Sequence, residues 1–236
     1  MRIVQLPQDI VATPRTALLA GATGLVGRAL LPMLLAAKHY QQVHILLRRA
    51  APDIDADARL KVHRVDFVRL PVALPAVDDV YITLGTTIKV AGSEAAFRQV
   101  DLDFVVNTAR AARAAGATRL AVVSALGADP SSRVLYNRVK GEMQAAIAEL
   151  GYTSVVIAQP SLLLGDRAAL GQPARTGEVW ATRLLGPLGR VVPKGIRPIA
   201  ARTVAAALLA AMLEAKPGIR VLKSGDMQVH DPTWRV

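Results

Sequence analysis

The sequence predicts an α/β protein built on a doubly wound parallel sheet, and three observations predict it. Short apolar runs alternate with helix-forming stretches from Ala17 to Val156. Most of those runs are apolar throughout, without the polar alternation of a sheet wet on one face, so helices must cover both faces. A glycine turn, "GATGLVG" (Gly21 to Gly27), stands where the first run gives way to the first helix.

The elements follow in order. "TALLAGATG" is a strand running into glycines, and "LVGRALLPMLLAAK" after it has helical composition. "VHILLRR" (43–49) has no helical period and reads as a second strand; "LKVHRVD" (60–66) alternates as a third; "DDVYITLG" (78–85) has the pattern of a buried fourth. Residues 94–115 are an Ala- and Arg-rich helix with Gly116 placed as its C-terminal cap. "RLAVVSA" (119–125) is a fifth strand, Arg133 to Leu150 a helix ended by Gly151, and "TSVVIAQP" (153–160) a sixth strand. After Pro160 the pattern loosens: Gly165 to Gly195 is rich in Gly, Pro and Arg, before a helix (200–214) and a strand "IRVLKS" (219–224). The expectation is a single domain over 1–236, with a core at about 16–160 and a small C-terminal lid and substrate-side region at 161–236.

Composition excludes several functions. A hydrophobic fraction of 52% supports a packed core and argues against disorder, and with only 4% aromatic residues that core is aliphatic. No cysteine is present, so disulfides, zinc–thiolate sites and a cysteine nucleophile are excluded, and no metal site is expected. The net charge of +11 comes from scattered arginines without interleaved aromatics, so nucleic acid is not expected as a partner. The apolar stretch 16–36 is broken by glycines, Arg28 and Pro32, and no membrane span is expected. The protein reads as soluble and cytoplasmic.

The glycine turn carries the first chemistry. A strand-to-helix turn of this kind needs Gly21 for tightness, Gly24 for close approach of a pyrophosphate and Gly27 for helix–strand packing. The helix N-terminus behind it offers unsatisfied N–H groups and a positive dipole end to phosphates. This is the phosphate-binding turn of a Rossmann-type dinucleotide fold. At the end of the second strand stand Arg48 and Arg49, with no acid before Asp53. An acid would bind the ribose 2′-hydroxyl of NAD, whereas arginine's fork suits a 2′-phosphate, so NADP (NADPH) is favoured over NAD. Asp66-Phe67 follow the third strand and Leu84-Gly85-Thr86 the fourth, both at the carboxyl ends where ligands bind in such sheets. Asp66 is a candidate acceptor from the adenine amino group, or else a turn residue; Gly85 lets the chain pass beside the cofactor, or else only ends a strand.

"SSRVLYNRVKGE" sets Tyr136 one helical turn ahead of Lys140, on one helix face. That spacing alone is common. Ser124, however, ends the fifth strand, and the helix bearing the pair comes next, so all three face the crevice of the glycine turn. A carbonyl that accepts hydride needs a proton on its oxygen, which a tyrosine hydroxyl can give. A free tyrosine titrates near about 10, and a nearby ammonium would favour the exchange. Ser124 would hold the carbonyl oxygen.

With "GATGLVG", "LGTTIKVAGSEAAFRQVD", "SALGADPSSRVLYNRVKGEMQAAIAELG" and "QPSLLLGDR" in this order, residues 16–230 resemble the extended or atypical branch of the short-chain dehydrogenase/reductase superfamily. More specifically, they resemble the oxidoreductase-like family of the Tat-interacting protein. The resemblance implies a Ser-Tyr-Lys triad at Ser124, Tyr136 and Lys140. It also implies phosphate contacts at Thr23, Gly24, Leu25 and Val26, and cofactor contacts near Pro160 and Leu162. Asp101 stands where many superfamily members place an asparagine that supports a proton relay, and Arg202 where extended members often carry an acid. The expected function is an NADP-dependent oxidoreductase that reduces a carbonyl, or oxidises the alcohol, of a small substrate. An NADPH-binding regulator with little turnover and an epimerase-like enzyme are the alternatives. Arg167, Arg175, Trp180 and Arg183 populate the segment expected to cover substrate. A homodimer through the helices after the fourth and fifth strands is the arrangement usual in the superfamily.

Overall fold

The computed structural model describes residues 14–51, 53–70, 74–165, 193 and 195–228. Seven parallel strands form one sheet in the order β3-β2-β1-β4-β5-β6-β9. They are β1 (Arg15–Ala20), β2 (Tyr40–Leu47), β3 (Leu60–Arg64), β4 (Asp79–Ile82), β5 (Arg119–Val123), β6 (Ser154–Gln159) and β9 (Gly218–Lys223). A two-residue pair, β7 (Leu163–Leu164) with β8 (Ile199–Ala200), lies beside it. The order runs outward from β1 to β3 on one side and from β4 onward on the other. A topological switch point therefore falls between β1 and β4, the place where ligands bind in open α/β sheets.

The apolar strands are buried on both faces because successive side chains alternate. Ala17 and Leu19 of β1 join the layer under α1 (Leu25–Ala36) and α6 (Ala201–Glu214); Leu18 and Ala20 join the layer under α4 (Phe104–Ala114) and α5 (Leu135–Ala148). This is the doubly wound Rossmann-type arrangement that the strand–helix alternation predicts. The helical stretch after Ser93 is not uniform. A short α3 (Glu94–Arg98) passes through a π-helical turn, Gln99–Asp103, where the Phe104 N–H reaches back five residues to the Gln99 carbonyl, and then into α4. Before it, α2 (Ile88–Ala91) is capped by the Thr87 hydroxyl; a last turn, α7 (Ser224–Met227), follows β9.

Residues past 195 do more than flank the substrate side. Helix α6 packs on α1, and β9 pairs with β6 from Ser154↔Gly218 to Gln159↔Lys223, so this part of the chain completes the sheet and one of its two layers. Arg167, Arg175, Trp180 and Arg183 lie outside the described residues.

At the amino ends of the strands a buried charge cluster ties four of them together. The Asp79 carboxylate, fully buried, accepts from Tyr40 Oη at 2.5 Å and pairs with Arg119 Nε at 2.5 Å and Arg15 Nη1 at 3.4 Å. Tyr40 also meets Tyr81, hydroxyl to hydroxyl, at 2.7 Å. Burial pushes the ionisation of both phenols well up, so both remain hydrogen-bond donors. The cluster lies at the opposite end of the strands from the glycine turn.

Candidate functional site

The site is built from the carboxyl ends of β1, β4, β5 and β6. Gly21 follows β1 with a φ of +95°, a left-handed conformation that other residues rarely adopt, and a methyl group there would meet Thr83 Oγ1 at 2.6 Å. Thr83 Oγ1 in turn donates toward the Ala20 and Gly21 carbonyls, at 3.1 Å each, and locks the turn to the end of β4. Gly27 faces the same turn from inside α1: a methyl there would lie 2.7 Å from the Gly21 carbonyl carbon and 2.9 Å from Ala22 Cα. The glycine roles expected from the sequence, a tight turn and close helix packing, thus have their steric causes in Gly21 and Gly27.

Gly24 caps α1 with no side-chain hydrogen bond, and the first turn of this 12-residue helix carries no acid. Its leading N–H groups and its positive end are left to an anion. Gly24, Leu25 and Val26 line a cleft of about 740 Å³ that continues past Leu84, Gly85 and Thr86 to Ser124, Tyr136 and Lys140, and on to Pro160 and Leu162. A glycine cradle and an uncapped helix end beside a long cleft fit a dinucleotide.

The three candidate catalytic residues converge in that cleft from two elements. Ser124 follows β5 and is held by its backbone N–H donating to the Ala158 carbonyl at 2.7 Å. Tyr136 and Lys140 sit one turn apart on α5. The Tyr136 ring stacks on Phe97 of α3, centroids 5.5 Å apart, which fixes its plane. Lys140 is only 3% exposed, and its Nζ lies 2.7 Å from Oδ1 of the fully buried Asp101. The other oxygen, Oδ2, accepts the Thr86 N–H at 2.8 Å. Asp101 therefore joins the loop after β4 to α5. The sequence marks Asp101 as a departure from the family pattern but does not show this pairing.

Gln144, one further turn along the Tyr136–Lys140 face, was missed altogether. Its Nε2 donates to Ser124 Oγ at 2.5 Å, while its Oε1 accepts from Gln159 Nε2 at 3.2 Å. With one lone pair so engaged, the Ser124 proton is free to point into the cleft. The four-residue spacing from Lys140 was the signal available in the sequence.

Other expected residues stand apart from this cleft. Thr23 offers its carbonyl to Arg28 Nε at 3.3 Å, and Arg28 also pairs with Asp53 across the exit of β2. Arg48 and Arg49 are exposed at that exit. Asp66 is exposed and accepts the Val68 N–H at 2.9 Å, the turn-forming role, while Phe67 is buried and stacks on Phe104 with centroids 5.8 Å apart. Among the described residues no three His, Cys, Asp or Glu side chains are grouped to hold a metal ion. No helix among them is long and apolar enough to cross a membrane.

Comparison with known proteins bears on the family and the fold. A sequence profile described as NAD(P)H-binding matches residues 21–162, from the glycine turn to the end of the cleft. The chain belongs to this NAD(P)H-binding family. Within it the chain is 33% identical over 190 residues to Protein HTATIP2 of Rattus norvegicus, covering 79% of this chain and 76% of that protein. It is 36% identical over 152 residues to Protein FMP52, mitochondrial, of Eremothecium gossypii, covering 64% and 67%. These are relatives of the atypical short-chain dehydrogenase/reductase type. Among solved structures, MoeE5 in complex with UDP-glucose and NAD superposes with a TM-score of 0.65 at 15% identity, covering 88% of this chain and 76% of that one. ADP-L-glycero-D-manno-heptose-6-epimerase of Helicobacter pylori gives 0.65 at 16%, covering 94% and 80%. At such identities the superpositions speak for the fold. The fungal relatives are named mitochondrial, so a cytoplasmic setting for this family member rests on composition alone.

Proposed function

We propose that this NAD(P)-binding, oxidoreductase-like protein is an NADP-dependent reductase of a small carbonyl compound, or dehydrogenase of the matching alcohol, working through Ser124, Tyr136 and Lys140. One observation carries the reading: these three side chains line the same cleft as the uncapped end of α1. A nicotinamide dinucleotide held along that cleft would supply the hydride chemistry. The Tyr136 hydroxyl would give its proton to the carbonyl oxygen and become the phenolate; in the reverse direction the Tyr136 phenolate would take the proton from the alcohol. Ser124 holds that oxygen with the proton that Gln144 leaves free. Lys140 keeps a positive charge beside Tyr136 and has N–H groups to spare for ribose hydroxyls. The Gly24–Leu25–Val26 backbone and the α1 dipole hold the pyrophosphate.

NADP preference is proposed from the exposed arginines at the exit of β2, Arg48 and Arg49, which suit a 2′-phosphate where an acid would repel it. A cytoplasmic setting is proposed from composition.

The test is a fluorescence titration with NADPH and NADH, followed by nicotinamide absorbance against a panel of aldehydes and ketones, with Tyr136→Phe alongside. Tight NADPH binding in both proteins, with turnover only in the wild type and lost about 10²-fold or more in the variant, is the expected result. Equal turnover by Tyr136→Phe would sink the mechanism, and failure to bind either nucleotide would sink the enzyme reading.

A further inference from the structure

We infer that Asp101 is a positioning residue, a buried counter-ion that aims Lys140 into the cleft and fastens it to the Thr86 loop. The inference deepens the proposed function and rests on reading the cleft as a dinucleotide site. Both charges are out of water: Asp101 is fully buried and Lys140 is 3% exposed. A buried charge without a partner is strongly disfavoured, so each of these groups holds the other in place.

The geometry is specific to a carboxylate. One oxygen lies 2.7 Å from the Lys140 Nζ and the other accepts the Thr86 N–H at 2.8 Å. An asparagine has one oxygen for these two donors, and its amino group would face an ammonium. An ammonium has three N–H bonds, and Lys140 also lines the cleft, so its ion pair with Asp101 does not exhaust them. Gly85 keeps the chain close above the pair, since a methyl there would lie 3.3 Å from Asp101 Oδ1 and 3.7 Å from Lys140 Nζ.

The backbone is adapted to bring the carboxylate there. Asp101 sits in the π-helical turn of residues 99–103, closed by the Phe104 N–H to the Gln99 carbonyl. The extra residue in that turn changes the helical register, and π-bulges of this kind are frequent at functional sites. Asp101 points inward, whereas Asp103, two residues on, is exposed. The loop after β4 and the catalytic face of α5 thereby become one unit through a single side chain.

The experiment compares wild type, Asp101→Asn, Lys140→Gln and the double variant by calorimetric titration with two probes. NADPH spans the whole cleft, and ADP carries only the adenosine and pyrophosphate part. Asp101→Asn and Lys140→Gln are each expected to weaken NADPH about tenfold or more while ADP stays within twofold. The double variant is expected to bind NADPH no more weakly than Lys140→Gln, because Asp101 acts through Lys140. Three results would overturn the inference: NADPH affinity unchanged in Asp101→Asn, an equal loss for ADP, or losses that multiply in the double variant. Should Asp101→Asn or Lys140→Gln alone fail to fold, Asp101→Glu, which keeps both charges but shifts the carboxylate, is compared with the wild type. A roughly tenfold or larger loss of NADPH affinity with ADP within about twofold supports the role, and unchanged NADPH affinity overturns it. A wild type that binds neither probe overturns the dinucleotide reading and this inference with it, a result unlike any of the others.

Discussion

Substituting Gly141 by alanine tests how rigidly the candidate site is held. Gly141 follows Lys140 on α5 and faces the loop after β5. A methyl group there would lie 2.7 Å from the Asp129 Cα, and nearer still to the Asp129 carbonyl carbon and the Pro130 nitrogen, all of them backbone. Either α5 or the loop must retreat by about an ångström or more to restore ordinary contact distances. Neither yields easily. Asp129 donates its N–H to the Asn137 carbonyl at 3.0 Å and accepts from the Ser131 N–H and hydroxyl at 2.8 and 2.7 Å. On the other side, Val139, Met143 and Ile147 anchor α5 with no exposed surface. Overpacking of this kind costs about 1–3 kcal/mol, and backbone opposition puts Gly141→Ala at the upper end. Alanine returns about 1 kcal/mol of helix propensity. A net loss of about 2 kcal/mol corresponds, at this chain length, to a fall in Tm of roughly 4–8 °C. Because Lys140 is the adjacent residue, NADPH affinity should fall about tenfold as well. Thermal unfolding and nucleotide titration measure both, with Gly92→Ala as reference: its φ is +83° but no atom lies within 4 Å of the added methyl, so only the left-handed strain is felt. If Gly141→Ala melts no lower than Gly92→Ala and binds NADPH as the wild type does, the packing of α5 on this loop does not set the site.

Three further outcomes are expected. Gln144→Ala removes the donor to Ser124 Oγ and should lower turnover about tenfold while NADPH affinity stays within twofold; a matching loss of binding would show that Gln144 supports the fold instead. Asp79→Asn leaves Arg15 and Arg119 without their buried partner and should cost about 3–5 kcal/mol, roughly 10 °C in Tm, with NADPH affinity at low temperature unchanged because the cluster is at the far end of the strands. Burial, then His63 and Lys61, hold the His44 ring down to a pKa of about 4, and burial lowers His63 as well. Between pH 6.5 and 4 the unfolded chain binds a proton at His44 that the native state refuses, so stability falls as the pH falls, by up to about 1.4 kcal/mol per pH unit. Denaturant titrations across that range should show a shallower decline in His44→Gln; identical slopes would rule His44 out as the source.

The parallel core was readable because its strands are buried on both faces and so appear as unbroken apolar runs, as in "VHILLRR" and "RLAVVSA". The glycine turn and the Tyr136–Lys140 spacing were readable because each depends on neighbours within one turn. Strand β9 was harder to assign to the sheet: it lies at the edge, its Ile219 and Val221 are exposed, and its pattern does not announce a core element. The Asp101–Lys140 pair joins residues far apart in sequence and depends on a helical irregularity that composition does not reveal. Gly141 reads as a weak spot in a helix until the loop it touches is known. The Asp79 cluster emerges only once topology places the first residues of four strands side by side.

The pairing of β9 with β6 also bears on how the protein comes off the ribosome. Six strands can assemble while synthesis is under way, yet β6 then presents a bare row of N–H and C=O groups along one side. Its partner begins at Gly218, well after β6 ends at Gln159, and α6, which covers one face, arrives only shortly before it. During that interval the nascent chain carries an open, parallel-competent strand beside an uncovered apolar layer, the combination that invites mispairing with a neighbouring copy. The arrival of β9 pairs that side of β6, and the open edge passes to β9 itself, after α6 has covered the layer beside it.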